Sequence, residues 1–147
     1  MEISEESVIF DREISLIASV DELDQMLEWI GEILEAHNCP GKISSQIAVA
    51  AEEFFVNIAR YAYGEKTGKA LIRTGRKGSY FVMQFEDSGV AFNPLEHKMP
   101  DINAGIKDRT IGGLGIYLAR KWMDEIVYKR DNGKNILTLY KTITTGA

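Results

Sequence analysis

The sequence is short of the residues that brace a chain from outside. One cysteine, Cys39, stands among 147 residues, so no internal disulfide can form. Cys39 also lacks a cysteine or histidine partner at metal-ligand spacing. A reducing compartment suits such a chain. Long hydrophobic runs are missing too. The best stretch, Ile47 to Val56, is broken by Glu52 and Glu53, which excludes a membrane span there. Basic charge is in deficit: 17 Lys and Arg against 22 Asp and Glu give a formal net charge of -5. That argues against direct nucleic-acid binding, which needs a basic surface to neutralise phosphates. It leaves a nucleotide ligand open, since a few local donors suffice. The first six residues carry Glu2, Glu5 and Glu6 where a secretory signal would be basic, so a cytoplasmic location is expected. There is no repeat, low-complexity segment or linker, and residues 1–147 read as a single domain.

What the chain does have is patterned apolar residues, 45% of the total. Val8 to Leu16 is strand-like. Ser19 followed by Glu22 predicts a capping box. Leu23, Met26, Leu27, Ile30, Ile33 and Leu34 then repeat at helical spacing, up to the turn Asn38-Cys39-Pro40-Gly41. A second helix is expected from about Lys42 to Tyr61, with Ile47, Ala51, Phe54, Ile58 and Ala62 as its apolar stripe. Lys69–Thr74 and Ser79–Glu86 read as strands joined by Gly75-Arg76-Lys77-Gly78. Residues 93–111 are polar and irregular, as functional loops or lids often are. A glycine-led helix follows, then a hairpin, Glu125–Lys129 and Asn135–Lys141, across Asp131-Asn132-Gly133. This order predicts an α+β fold, a two-layer sandwich with a mixed, mostly antiparallel sheet and helices on one face.

Three clusters carry chemistry. Glu53, Asn57 and Arg60 fall on one face of the second helix, at i, i+4 and i+7. Asn57 offers a neutral oxygen of the kind magnesium accepts alongside phosphates, and Glu53 is a carboxylate able to take a proton from a hydroxyl. Asp87-Ser88-Gly89 follows a strand directly: a carboxylate there can accept an exocyclic amine, and glycine admits a close backbone approach. Gly112-Gly113-Leu114-Gly115 opens a helix, presenting backbone N–H groups and the positive end of the dipole to phosphate. Each cluster alone is an ordinary local feature: a solvated helix face, an Asp-x-Gly turn, a loop exit.

Their order discriminates. Helix motif, Asp-x-Gly, variable segment and Gly-Gly-Leu-Gly together resemble the GHKL (Bergerat-fold, histidine-kinase-like) ATP-binding domains, over roughly Ile14 to Lys141. Within that class the chain is similar to the anti-sigma factor and serine-protein kinase group. The resemblance implies ATP and Mg2+ as ligands, with Glu53 as general base toward a partner's serine and Asn57 as the metal ligand. Asp87 would bind the adenine amine, Gly89 would shape the base pocket, and Thr138 would support the adenine carboxylate from the late strand. Gly113 and Gly115 would hold phosphates. The implied cofactor-binding set also takes in Arg60, Phe92, Arg109, Gly112 and Leu114, with Arg109 as the first choice among lid cations that include Lys98 and Lys107. Implied partners are a sigma factor and an antagonist protein of the STAS type, with a homodimer expected and no membrane or nucleic-acid contact.

The sequence departs from the group at three places. Tyr61 stands where a histidine is usual, Ala91 replaces a second glycine, and Ile58 replaces an alanine. None removes a proposed catalytic group. An alternative therefore stands beside the kinase reading: an ATP-gated protein-binding module without phosphoryl transfer. His37 and His97 read as surface residues, and Phe10, Trp29, Phe54 and Phe55 as core.

Overall fold

Residues 3–96 and 113–143 are described by the computed structural model. Strand β1 (Ile9–Ile17) leads to Ser19, whose hydroxyl accepts a hydrogen bond from the Asp21 amide at 3.2 Å. The cap thus serves a short 3-10 turn, Val20–Glu22, and helix α1 (Leu23–Ala36) starts from that turn with no side-chain cap of its own. Met26, Ile30, Ile33 and Leu34 form the buried stripe of α1, as the spacing predicts. Helix α2 (Gly41–Asn57) begins after Pro40 and buries Ile47, Ala50, Ala51, Phe54 and Phe55. It ends in a π-helical turn, Ile58–Ala62, within the span expected to be regular helix. Such turns are rare and recur at functional sites.

Strands β2 (Lys69–Lys77) and β3 (Tyr80–Asp87), helix α3 (Gly113–Trp122), and strands β4 (Glu125–Asp131) and β5 (Lys134–Thr142) complete the chain. The sheet order is β1-β2-β3-β5-β4, and every neighbouring pair is antiparallel. The expected α+β two-layer sandwich is therefore the fold, with a fully antiparallel sheet among the described residues. The β2–β3 connection comes later than expected: Gly75 lies within β2, opposite Phe10 beside a bulge in β1, and the turn uses Gly78 at φ 58°. Asn132 and Gly133, at φ 50° and 75°, make the β4–β5 turn as the Asn-Gly pair predicts.

Alternation assigns the two sheet faces. Ala70, Ile72, Phe81, Met83, Phe85, Leu137 and Leu139 meet the helices and join Phe54 and Phe55 in one core. Helix α2 packs against both α1 and α3, so its central position brings residues 53 and 57 near the start of α3 and the end of β3. On the other face, Val82, Gln84, Thr138 and Tyr140 are also buried. Residues 3–5 lie across that face. Glu5 Oε1 accepts from Gln84 Nε2 at 2.9 Å, and Glu5 Oε2 pairs with Lys129 at 3.2 Å. His37 is half-buried rather than a surface residue, edge-on to Phe81 at 5.8 Å with Arg76 Nη1 3.3 Å from its Nδ1. No helix among the described residues is long and apolar enough to cross a membrane.

Candidate functional site

The last residue of β3, Asp87, is buried where the sheet meets the end of α2. Its Oδ1 accepts two hydrogen bonds, from the Gly89 amide at 2.9 Å and from Asn135 Nδ2 at 2.9 Å. Asn135 faces Asp87 directly in the β3–β5 register. It also donates to the Val90 carbonyl at 2.8 Å and accepts at Oδ1 from the Phe92 amide, 3.2 Å, and the Tyr128 hydroxyl, 2.5 Å. Three of these four side-chain bonds hold the carboxylate and the loop after it, and the fourth ties Asn135 to Tyr128 of β4. Two further contacts fix this loop: Tyr63 Oη accepts from the Ser88 amide at 2.9 Å, and Arg130 donates to the Gly89 carbonyl at 2.8 Å.

Gly89 makes a close backbone approach, here to the end of α2. A Cβ there would lie 2.1 Å from the Ala62 carbonyl oxygen, and the neighbouring Val90 amide donates to that same oxygen at 2.8 Å. The loop is thus stitched to the π turn of α2 by a backbone approach that no side chain permits.

Between these elements lies a narrow, mostly apolar slot. Phe54, Phe85 and Leu137 contribute from the core, Ile58, Phe92 and Pro94 wall it, and Asn57, Asp87 and Asn135 are its polar lining. Its open volume of about 30 Å³ has room for one or two waters. Phe92, expected among the binding residues, is stacked on Tyr61 at 5.6 Å with 29° between the rings.

Glu53 lies one helical turn before Asn57. A Cβ added at Gly115 would be 2.3 Å from Glu53 Oε2, so the carboxylate rests against the first turn of α3. Burial raises its pKa from 4.5 to about 6; Arg60 opposes this, Glu52 reinforces it, and Asn57 opposes it weakly. Glu53 Oε1 and Asn57 Nδ2 are both buried without a hydrogen-bond partner. Asn57 still eases the Glu53 charge from one turn away, so the pair interacts without closing a well-formed hydrogen bond, and buried polar atoms left in that state are costly. Arg60 itself is exposed and acts on Glu53 through its charge.

The remaining expectations divide. Gly113, Leu114 and Gly115 form the first turn of α3, with Leu114 45% exposed. Gly112, Arg109, Lys98, Lys107 and His97 lie outside the described residues. Thr138 is a correction. It sits three residues from Asn135 on β5, which puts it on the opposite sheet face, where it accepts from Gln84 Nε2 at 3.1 Å. The late-strand partner of Asp87 is Asn135. Sequence reasoning missed Asn135, Tyr128 and Tyr63. The one available signal was Asn135 at the start of the final strand, which becomes informative only when β5 is known to pair with β3. No group of three or more His, Cys, Asp or Glu capable of holding a metal occurs among the described residues.

The fold is shared with solved structures of low sequence identity. The RsbU and RsbW domains of Rv1364c from Mycobacterium tuberculosis match 93% of this chain at TM-score 0.65 and 14% identity. The histidine kinase domain of the blue-light activated histidine kinase of Erythrobacter litoralis EL346 matches 84% at TM-score 0.55 and 14% identity. This chain spans 34% of the first and 60% of the second. In sequence it is 27% identical over 114 residues to the serine/threonine-protein kinase BtrW of Bordetella bronchiseptica, covering 77% of this chain and 80% of that one. The family model described as a histidine kinase-like ATPase domain matches residues 16–141, and the chain, with its Asp-x-Gly slot and glycine-led helix, belongs to that family.

Proposed function

We propose that the chain is an ATP-binding anti-sigma regulatory factor that phosphorylates a serine or threonine of a STAS-type antagonist. The observation that carries this reading is the seat of Glu53: a half-buried carboxylate with an unpaired oxygen, against the first turn of a glycine-led helix. Phosphates favour such helix starts, so Glu53 is the carboxylate beside the transferring group. Asp87 spends Oδ1 on Gly89 and Asn135, which leaves Oδ2 to accept the adenine amine. In the transfer, the hydroxyl O–H bond breaks as its oxygen bonds the γ-phosphorus, the proton passes to Glu53, and the bond to ADP breaks. With its pKa raised only to about 6, Glu53 is still mostly ionised at neutrality, and the rise gives it more proton affinity than an exposed glutamate. Asn57 fits magnesium, which takes few protein ligands and keeps phosphates and waters; its carboxamide is buried beside Glu53 with an orphaned nitrogen, ready to turn its oxygen inward. The ion supplies neutralisation of phosphate charge when bound.

The BtrW likeness supports serine/threonine kinase chemistry; the sigma-factor partner, the cytoplasmic setting and the pairing of two copies are proposed from the motif resemblance alone. The test is transfer from labelled ATP with magnesium to a STAS protein of the same genome. Wild type transfers phosphate to a hydroxyl; Glu53→Ala binds ATP and does not. Transfer at the normal rate by the variant excludes Glu53 as base. The Tyr61–Phe92 stack at the slot favours a second reading, an ATP-gated binding module without transfer. That reading predicts retention of ATP without turnover, and phosphate on any cognate partner excludes it.

A further inference from the structure

We infer that Gly115 is a positioning residue for Glu53: the missing side chain at 115 is the seat that fixes the carboxylate against α3. Four observations carry this. A Cβ at 115 would meet Oε2, Cδ and Cγ of Glu53 at 2.3, 2.6 and 2.9 Å, and its three nearest neighbours all belong to that one side chain. Gly68 shares this feature, facing the Tyr63 ring; at Gly75 and Gly89 the nearest obstructing atoms are backbone, and at Gly31, Gly41, Gly64, Gly78 and Gly133 nothing lies within 4 Å. Gly115 is inside α3 and is absent from the glycines of positive φ, which are Gly64, Gly78 and Gly133, so the backbone does not demand glycine there. Glycine also disfavours a helix relative to alanine. Local structure alone therefore favours alanine, and clearance for Glu53 is what the glycine provides.

The obstructing atoms sit at the end of a flexible side chain, so alanine at 115 displaces the carboxylate without blocking folding. The displaced carboxylate keeps its charge and loses its place in the first turn of α3, where a shift near 1 Å is enough to slow chemistry by about a hundredfold. The inference rests on Glu53 being the base for its functional consequence, and on geometry alone for the contact.

A cycle of four full-length proteins tests it: wild type, Gly115→Ala, Glu53→Ala and the double variant. The measurements are the thermal midpoint, the affinity for Mg·ATP, and kcat and KM for transfer to the STAS substrate. In the Glu53→Ala background, alanine at 115 raises the midpoint by about 2–3 °C through helix propensity, and in wild type that gain is absent. In Gly115→Ala, kcat for transfer falls by about a hundredfold or more at unchanged KM for the STAS substrate, a larger loss than any change in Mg·ATP affinity measured on the same variant. Equal midpoint changes in both backgrounds overturn the inference. So does a loss of ATP affinity with kcat preserved, which assigns Gly115 to phosphate contact alone. Coupled midpoints with normal kcat support the contact and refute Glu53 as base.

Discussion

Replacing Glu53 by glutamine stabilises the nucleotide-free protein at neutral pH and does nothing in acid. Glutamine has nearly the shape of the protonated acid and no charge. Burial lifts the Glu53 carboxyl from 4.5 to about 6. A carboxyl raised on folding contributes stability that is fully present below pH 4.5 and lost as pH rises through 6, because above that the folded state must hold the disfavoured ionised form. The rise of about 1.5 units corresponds to at most ~2 kcal/mol. Glu53 is only half-buried and solvent screens part of this, so ~1 kcal/mol is the working figure. For a chain of this size that raises the midpoint by about 2–4 °C. The assay is thermal unfolding of wild type and Glu53→Gln from pH 4.5 to 7.5 without nucleotide. Curves that separate by a few degrees at pH 7.5 and converge toward pH 4.5 are expected. A glutamine variant no more stable at pH 7.5, or an advantage that persists unchanged into acid, refutes the account of the buried carboxylate.

Other perturbations read the rest of the site. On the proposed function ATP with magnesium raises the wild-type midpoint, and Asp87→Asn, which removes the proposed adenine acceptor, abolishes that rise. Asn135→Ala strips a donor from the buried Asp87 carboxylate and two ties from the loop; it destabilises by about 2–4 kcal/mol in denaturant titration and abolishes the ATP-dependent rise. Thr138→Val, on the opposite sheet face, leaves ATP affinity unchanged by calorimetry, and a tenfold loss returns Thr138 to the pocket. Burial pushes the Glu5 carboxyl up, yet Gln84 and Lys129 outweigh it and hold its pKa below 4.5. Its contribution is therefore present above pH 4.5 and lost as pH falls through the lowered value, and Glu5→Gln narrows its deficit in stability as the medium is acidified.

The fold was largely legible because its signals are local. The α1 stripe, the Asn-Gly turn and the largely apolar run of β3 each lie within one element, and the α+β order follows from stringing them together. What escaped is non-local or depends on geometry without a sequence period. The π turn at Ile58–Ala62 carries the same apolar spacing as an ordinary helix end, and its contacts are remote in sequence: the Ala62 carbonyl accepts from the Val90 amide and the neighbouring Tyr63 hydroxyl from the Ser88 amide. The extension of β2 through Gly75 likewise depends on β1, which crowds that glycine from another part of the chain.

The same distinction explains the site. Asp87 and Glu53 declare themselves by residue type at a strand end and on a helix. A partner across the sheet is fixed by register, and register has a parity: on β5 a displacement from 135 to 138 carries a side chain through the sheet to the other face. Thr138 matched a family pattern by position along the strand, whereas Asn135 earned its place by standing opposite Asp87. Gly115 follows the same logic in the helices. Glycine before or within a helix start points to phosphate when seen in sequence, and only the packing of α2 on α3 reveals that Glu53 fills the space a side chain would take. A glycine in a binding motif can thus make room for a neighbouring carboxylate, here the proposed base, as well as for the ligand, and the two roles separate only when binding and turnover are measured on the same variant.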